Sequence, residues 1–287
     1  MKLLSFTRDD RASWGVCEGE GDALAVRDMG AMLPGMASLR AMLEQNGLDA
    51  VRAALASAPV LAMDAVTLLP VIPDPSKIIC CGLNYHEHRI ESHSPEIGYP
   101  TLFVRFASSQ TAHGAPVIHP PETTMLDFEA ELAVVIGRGG RRIARANAFD
   151  HVAGYACYND VSVRDWQKQT TQMTPGKNFP ATGPFGPWMV TRDEIDDLAP
   201  LSIRCRLNGE VMQDAHLGDM IFDIPHLIEY ISTFTPLEPG DVLLTGTPGG
   251  VGFRRDPRIF MKPGDHVEVE IEKIGLLSNR VIAENEG

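Results

Sequence analysis

Leu126-Asp127-Phe128-Glu129-Ala130-Glu131-Leu132-Ala133-Val134-Val135-Ile136-Gly137 alternates acids with apolar residues and then becomes an unbroken apolar run. Side chains of a strand point to its two faces in turn. Asp127, Glu129 and Glu131 are therefore expected on one face, and Phe128, Ala130 and Leu132 on the other. The run from Leu132 to Ile136 does not fit a fully solvated edge. Acids repeated on one face repel, which is poor strand chemistry. Two carboxylates about 7 Å apart can instead converge on a cation, and repulsion becomes coordination. A solvated face of alternating acids has the same spacing, and the segment alone leaves both readings open.

Outward from this segment, the chain from Lys77 onward reads mostly as strands. Ile78 to Leu83, Thr101 to Phe106, Glu131 to Gly137, Val152 to Tyr158, Ile203 to Leu207, Asp241 to Thr245 and His266 to Ile271 are short, rich in β-branched or aromatic residues, and bounded by Gly, Pro or Asn. Helical spacing returns only locally. Val161 to Gln172 is one candidate. Asp223 is expected to cap another helix, with Pro225 in its first turn and Leu227, Ile228, Ile231 and Phe234 facing inward. Strands without regular βαβ alternation predict an α+β fold, mostly β, rather than a doubly wound sheet. Residues 1–72 differ, being rich in Ala, Leu and Met. Leu39, Met42 and Leu43, then Leu48, Val51 and Leu55, recur at helical spacing around Gly47, and Lys2 to Gly15 reads as a small strand and turn. Pro70, Pro73 and Pro75 punctuate the chain, so we place a small N-terminal domain at 1–72 and the main domain at 73–287.

Composition excludes several classes. With 44% hydrophobic and 22% charged residues the chain is ordinary globular protein, not a disordered one. No apolar run approaches the roughly 18 residues of a membrane helix. The opening Met1 to Phe6 turns charged at Arg8, too soon for a signal-peptide core, so a cytoplasmic protein is expected. A net charge of -13 argues against a nucleic-acid partner, which needs a basic surface. Cys17, Cys80, Cys81, Cys157 and Cys205 are odd in number and lack CxxC spacing; they read as buried free thiols rather than zinc ligands or a disulfide framework.

Two more polar stretches add chemistry. In Tyr158-Asn159-Asp160-Val161-Ser162-Val163-Arg164-Asp165-Trp166-Gln167 a strand ends, and Asp160 is placed either as a third carboxylate ligand or as a helix cap. Three carboxylates without Cys or His at ligand spacing would select a hard ion, Mg²⁺ first and Mn²⁺ second. Gly82-Leu83-Asn84-Tyr85-His86-Glu87-His88-Arg89-Ile90-Glu91 leaves an apolar strand and enters a polar stretch. His88 and Glu91 are i,i+3 and would be neighbours on a helix, either as a general-base pair or as an exposed polar turn. His86 belongs on another face.

Taken together these segments resemble the fumarylacetoacetate hydrolase family from Pro75 to about Ala283. The motifs run in order: Gly82-Leu83-Asn84-Tyr85 with His88 and Glu91; Phe128-Glu129-x-Glu131-Leu132; Asn159-Asp160 with Arg164, Asp165 and Gln167; Gly176-Lys177-x-Phe179; Gly183-Pro184-x-Gly186-Pro187; Asn208-Gly209; Thr245-Gly246-Thr247-Pro248-x-Gly250-Val251-Gly252; and Lys262-Pro263-Gly264-Asp265. The resemblance implies a mixed β-sandwich or β-roll, a homodimer, and a divalent metal on Glu129, Glu131 and Asp160. It also implies a water-activating pair in His88 and Glu91, often on a lid, and a lysine beside the substrate in Lys177. Arg164, Gln167 and Thr247 match positions that bind substrate or support the metal shell.

The sequence departs from the family at Arg105, where many members carry lysine; Arg can hold a carboxylate in a bidentate fork, so Arg105 is expected at the substrate. His113, in the polar stretch after it, is either a pocket residue or a loop histidine. Thr245 to Gly252 lacks GxGxxG, and Pro257 breaks any following helix, so it is not a nucleotide loop. A metal on three carboxylates suits a small keto acid whose carbonyl it polarises. Hydrolysis of a C–C bond in an acylpyruvate or fumarylpyruvate, in a catabolic setting, is the expected reaction because both His88 and Glu91 are present. Isomerisation, tautomerisation or decarboxylation of a hydroxymuconate- or oxaloacetate-like acid on the same site is the alternative.

Overall fold

The strand entered by the acidic segment lies near the middle of the larger sheet. In the computed structural model, which describes residues 1–95 and 98–284, Ala130–Ile136 is buried along its whole length. In chain order the strands begin with β1 (Lys2–Arg8), β2 (Arg11–Glu18), β3 (Ala25–Asp28), β4 (Val60–Ala62), β5 (Thr67–Leu68), β6 (Ile78–Gly82), β7 (Thr101–Arg105), β8 (Gln110–Thr111) and β9 (Val117–His119). They continue with β10 (Leu126–Asp127), β11 (Ala130–Ile136), β12 (Val152–Asn159), β13 (Ser162–Val163), β14 (Gly183–Thr191), β15 (Ser202–Leu207), β16 (Glu210–His216), β17 (Val242–Leu244), β18 (His266–Ile271) and β19 (Gly275–Ala283). The α-helices are α1 (Met29–Met32), α2 (Leu39–Glu44), α3 (Leu48–Ala54), α4 (His86–Glu91), α5 (Arg164–Gln167), α6 (Thr174–Lys177) and α7 (Ile224–Phe234).

An open twelve-stranded sheet runs β4-β3-β2-β1-β14-β12-β11-β17-β6-β7, with β5 paired to β1 and β8 to β14. A five-stranded sheet runs β16-β15-β18-β19-β9, and β10 pairs with β13. The fold is mostly β with mixed sheets, as expected. Even-numbered residues of β11, Leu132, Val134 and Ile136, share a core with Ile203, Cys205, Val267 and Val269 of the smaller sheet and with Leu227, Ile228 and Ile231 of α7. Ala133 and Val135, on the opposite face, pack with Ala156, Tyr158 and Leu244 and with Leu3, Trp14, Leu39, Met42 and Val51. A strand covered on both faces carries apolar residues continuously, which is why the run from Leu132 shows no alternation.

The first strands extend the same sheet, with Lys2 opposite Val190 and Leu3 opposite Met189. The small strand and turn expected there is a full hairpin. Arg8 pairs with Arg11, and Asp9 and Asp10 both take positive φ, 50° and 59°, which suits the twist of a two-residue hairpin turn. The α2 and α3 helices break around Asn46-Gly47 as expected. All five cysteines are free and buried. The helix expected over Val161 to Gln172 shrinks to α5, because Ser162 and Val163 pair with Asp127 and Leu126 instead.

Asp223 caps α7 by accepting a hydrogen bond from His226 N at 2.8 Å. Asp223→Ala leaves that amide without its acceptor and costs about 1 kcal/mol. A urea midpoint lowered at unchanged slope is the expected measurement; an unchanged midpoint would count against the cap.

Candidate metal centre and active site

The β11–β12 ladder aligns Ala130 with Asn159 and Glu131 with Tyr158. One step further along the register, Asp160 N donates to Glu129 O at 2.9 Å, so Asp160 stands across from Glu129. One ligand oxygen from each of Glu129, Glu131 and Asp160 lies within 4.8 Å of the others, and all three residues are buried. The three carboxylates foreseen from separate motifs therefore converge.

Asp127 does not join them. The ladder is interrupted between β10 and β11, so strict alternation fails at Phe128-Glu129. Asp127 turns instead to a distant loop, accepting from Gly252 N at 2.8 Å, Phe253 N at 2.9 Å and Arg164 Nε at 2.8 Å. It clamps that loop against the site. Gly252 permits the clamp, because a Cβ there would collide with Ile259 O and lie 2.6 Å from Asp127 Oδ1. Gly252→Ala is expected to cost about 1–3 kcal/mol and to displace Arg164. Chemical denaturation checks the first effect, and a raised KM for the substrate checks the second.

Cations surround the triad unevenly. Lys177 Nζ, on α6, lies 2.6 Å from Glu129 Oε2 and 2.6 Å from Asp160 Oδ2. Arg164 Nη2 lies 2.6 Å from Glu129 Oε1 and 2.7 Å from Asp127 Oδ2. Arg105 Nη1 is 2.6 Å from Asp160 Oδ1, and its Nη2 donates to Thr182 Oγ1 at 2.9 Å. Among the described residues Glu131 receives one hydrogen bond, from Gly246 N at 2.8 Å. Burial pushes the Glu129 carboxyl up, but Arg164 and Lys177 outweigh it and bring it down to about 2. Burial, then the charges of Asp160 and Glu129, hold Glu131 well above the usual carboxylate range. Burial alone would lower Lys177, yet Asp160 and Glu129 keep it raised. Three converging carboxylate oxygens with one under-compensated member are the donor set of a hard divalent cation, so the residues fit the metal that the motifs imply.

His88 Nδ1 is 2.6 Å from Glu91 Oε1, and Glu91 Oε2 accepts from Gly250 N at 2.9 Å. A carboxylate on Nδ1 fixes the ring and leaves Nε2 as its other functional atom. His86 is exposed, as expected. A cavity of about 300 Å³ is lined by His88, Glu129, Glu131, Arg164, Gln167, Lys177 and Thr247, with Glu91 standing behind His88. Gln167 Oε1 accepts from Arg164 Nη1 at 2.9 Å, and Thr247 Oγ1 accepts from Gln213 Nε2 at 2.8 Å.

One expectation is corrected, for Arg105, and of the two readings of His113 the loop histidine is the one found. Arg105 does not reach the cavity: its guanidinium is fully covered and spends its donors on Asp160, Thr182, Ser109 and Val161 O, so it orients a metal ligand instead of forking a substrate carboxylate. His113 lies outside the cavity and accepts from Ser278 N at 3.1 Å, with burial lowering its pKa. Gln213 was not foreseen. Its Oε1 accepts from Ala130 N at 2.9 Å while its Nε2 holds Thr247, so one amide links the acidic strand to the opposite wall. Nothing in its local sequence marks it, because both partners are remote in the chain.

The sequence model described as fumarylacetoacetate (FAA) hydrolase C-terminal matches residues 77–282. The chain is 40% identical over 288 aligned positions to the mitochondrial oxaloacetate tautomerase FAHD2A of Bos taurus, covering 98% of this chain and 92% of the relative. Among solved structures, a fumarylacetoacetate hydrolase from Exiguobacterium antarcticum superposes with a TM-score of 0.86 at 36% identity, covering 99% of this chain and 100% of the other. A maleylpyruvate hydrolase from Sphingobium sp. SYK-6, solved with manganese(II) and pyruvate, superposes with a TM-score of 0.80 at 29% identity, covering 99% of each chain.

Proposed function

The chain belongs to the fumarylacetoacetate hydrolase family, and within it we propose that it is a metal-dependent tautomerase interconverting the keto and enol forms of a short 2-keto acid of the oxaloacetate type. The observation carrying this reading is the near full-length similarity to a relative named oxaloacetate tautomerase. It moves the preferred reaction from C–C hydrolysis to enolisation. The chemistry of the site accords with the change. A His–Glu pair can take a proton from a carbon beside a carbonyl as readily as from water, so the dyad does not by itself require hydrolysis.

In this reading His88, held by Glu91, moves the proton at the carbon next to the keto group. A divalent ion, Mg²⁺ first and Mn²⁺ second, held by Glu129, Glu131 and Asp160 would supply Lewis-acid stabilisation of the enolate oxygen. Lys177, buried between Glu129 and Asp160, offsets negative charge at the same place. Arg164 and Gln167, joined by their hydrogen bond, present a polar wall to the substrate carboxylate. The homodimer expected from the family remains part of the proposal, to be checked by sedimentation.

The test follows the ultraviolet absorbance of enolic oxaloacetate. The Mg²⁺-loaded protein should speed its approach to the keto form, the EDTA-treated protein should not, and no cleavage product should accumulate. Absence of any acceleration over buffer with Mg²⁺ would overturn the reading. The neighbour named maleylpyruvate hydrolase supports a second reading, acylpyruvate hydrolysis, which would show itself by a carboxylic acid product carrying solvent oxygen.

A further inference from the structure

At the mouth of the cavity the ring of Phe253 is ringed by cations. Lys168 Nζ lies 3.7 Å from the ring centroid, and the guanidinium carbons of Arg258, Arg254 and Arg164 lie at 4.3, 5.2 and 6.0 Å. Arg164 is already paired with Asp127 and Glu129. Among the described residues the other three make no ion pair with a carboxylate. Arg254 donates one hydrogen bond, to Ser92 O at 3.2 Å. Lys168 and Arg254 line the cavity beside Phe253 and Arg258 stands outside it; Lys168 and Arg258 are exposed and Arg254 is half-buried.

Such a gathering is costly in isolation. The chain carries a net charge of -13, so acids to pair with are plentiful, yet these cations face one another, and the Glu91 carboxylate near Arg254 is already held by His88 and Gly250 N. Burial and then Arg254, Arg164 and Arg258 bring Lys168 down to about 8, the direction expected of a cation held among cations. The aromatic face offsets only part of the repulsion. An anion placed over the ring would neutralise it. The distance to the triad is short, because Arg164 reaches both: its Nη2 is 2.6 Å from Glu129 while its guanidinium lies over Phe253. A ligand whose keto-acid end sits at the triad shares one cavity with Lys168 and Arg254, which line the same walls as Glu129 and Glu131.

We infer that Lys168 and Arg254, stacked about Phe253 with Arg258 behind them, receive the second carboxylate of the substrate and select short dicarboxylic over monocarboxylic 2-keto acids. This rests on the 2-keto acid reading above. Two inert 2-hydroxy acids test it without turnover. Malate and lactate share the carboxylate and hydroxyl that mimic the keto-acid end, and only malate adds a second carboxylate. Calorimetry on the Mg²⁺-loaded protein should show malate binding roughly 10- to 100-fold tighter than lactate. Lys168→Met and Arg254→Met should each remove about tenfold of that preference, and Arg254→Lys should restore part of it. Lactate affinity should move by less than about twofold in all three. Equal affinity for the two acids in the wild type overturns the inference, as does equal weakening of both in Lys168→Met. A wild type that prefers malate but leaves enolic oxaloacetate untouched overturns the tautomerase reading alone.

Discussion

Glu131→Gln yields a protein that takes up no Mg²⁺ or Mn²⁺, loses activity by roughly 10³-fold or more, and melts at a higher temperature than the wild type in metal-free buffer. The last effect follows from the asymmetry of the triad. Glu131 is fully buried against Asp160 and Glu129 with one amide, Gly246 N, as its hydrogen-bond partner. Its pKa in the folded, metal-free protein is therefore raised above the ordinary 4.5. A carboxyl raised on folding contributes stability that is present below the unfolded value and lost as pH rises through the folded one. At neutral pH Glu131 is a net cost, which an uncharged amide of the same shape removes. A gain of about 1 kcal/mol would raise Tm by about 2 °C. The gain should shrink as pH falls through 4.5, below which Glu131 is protonated in both states.

Asp160→Asn should do the opposite. Asp160 is the partner of buried Arg105 and Lys177, and removing one member of a buried pair costs about 3–5 kcal/mol. Both variants should lose the metal, but only one should lose stability. Scanning calorimetry in EDTA at two pH values, with metal titrations beside it, reads all of this. Unchanged Mg²⁺ affinity in Glu131→Gln would remove Glu131 from the metal centre. Stabilisation by Asp160→Asn would refute the electrostatic account.

His88→Gln should lower kcat by roughly 10²–10⁴ while metal and oxalate affinities stay near those of the wild type. The amide keeps much of the ring's size and polarity but cannot carry the proton. Glu91→Ala should lower kcat comparably and also loosen the 249–251 loop, since Glu91 bridges His88 and Gly250 N. The double variant should be little worse than either single one if the pair acts as a unit. Tautomerisation at near wild-type kcat in His88→Gln would show that the dyad does not move the carbon-bound proton. If acylpyruvate cleavage were abolished in the same variant, and ¹⁸O from water appeared in the wild-type product, the pair would belong to hydrolysis instead.

Much of this architecture was legible in the residues. The β-branched runs marked β6, β7, β11, β12, β15, β17 and β18 within a residue or two, because strand-forming side chains and their bounding turns are local features. Asp223 announced its helix for the same reason, as did the break at Asn46-Gly47. The spacing of Glu129 and Glu131 left a metal and a solvated face both open, and Asp160 open between ligand and cap; it was the ordered family motifs that implied the metal on all three. The tertiary structure alone decided that Asp127 leaves the acidic face for Gly252 and that Arg105 serves Asp160 rather than a substrate. It also decided that Gln213 ties Ala130 to Thr247 and that Lys168, Arg254 and Arg258, which make no ion pair among the described residues, meet over Phe253. The contacts of Asp127, Arg105 and Gln213 join segments separated by 34 to 125 residues, and no local periodicity records such meetings. The uneven charge of the triad belongs with them: which carboxylate is paired, and which is left dear to ionise, depends on burial and on cations brought in from other parts of the chain.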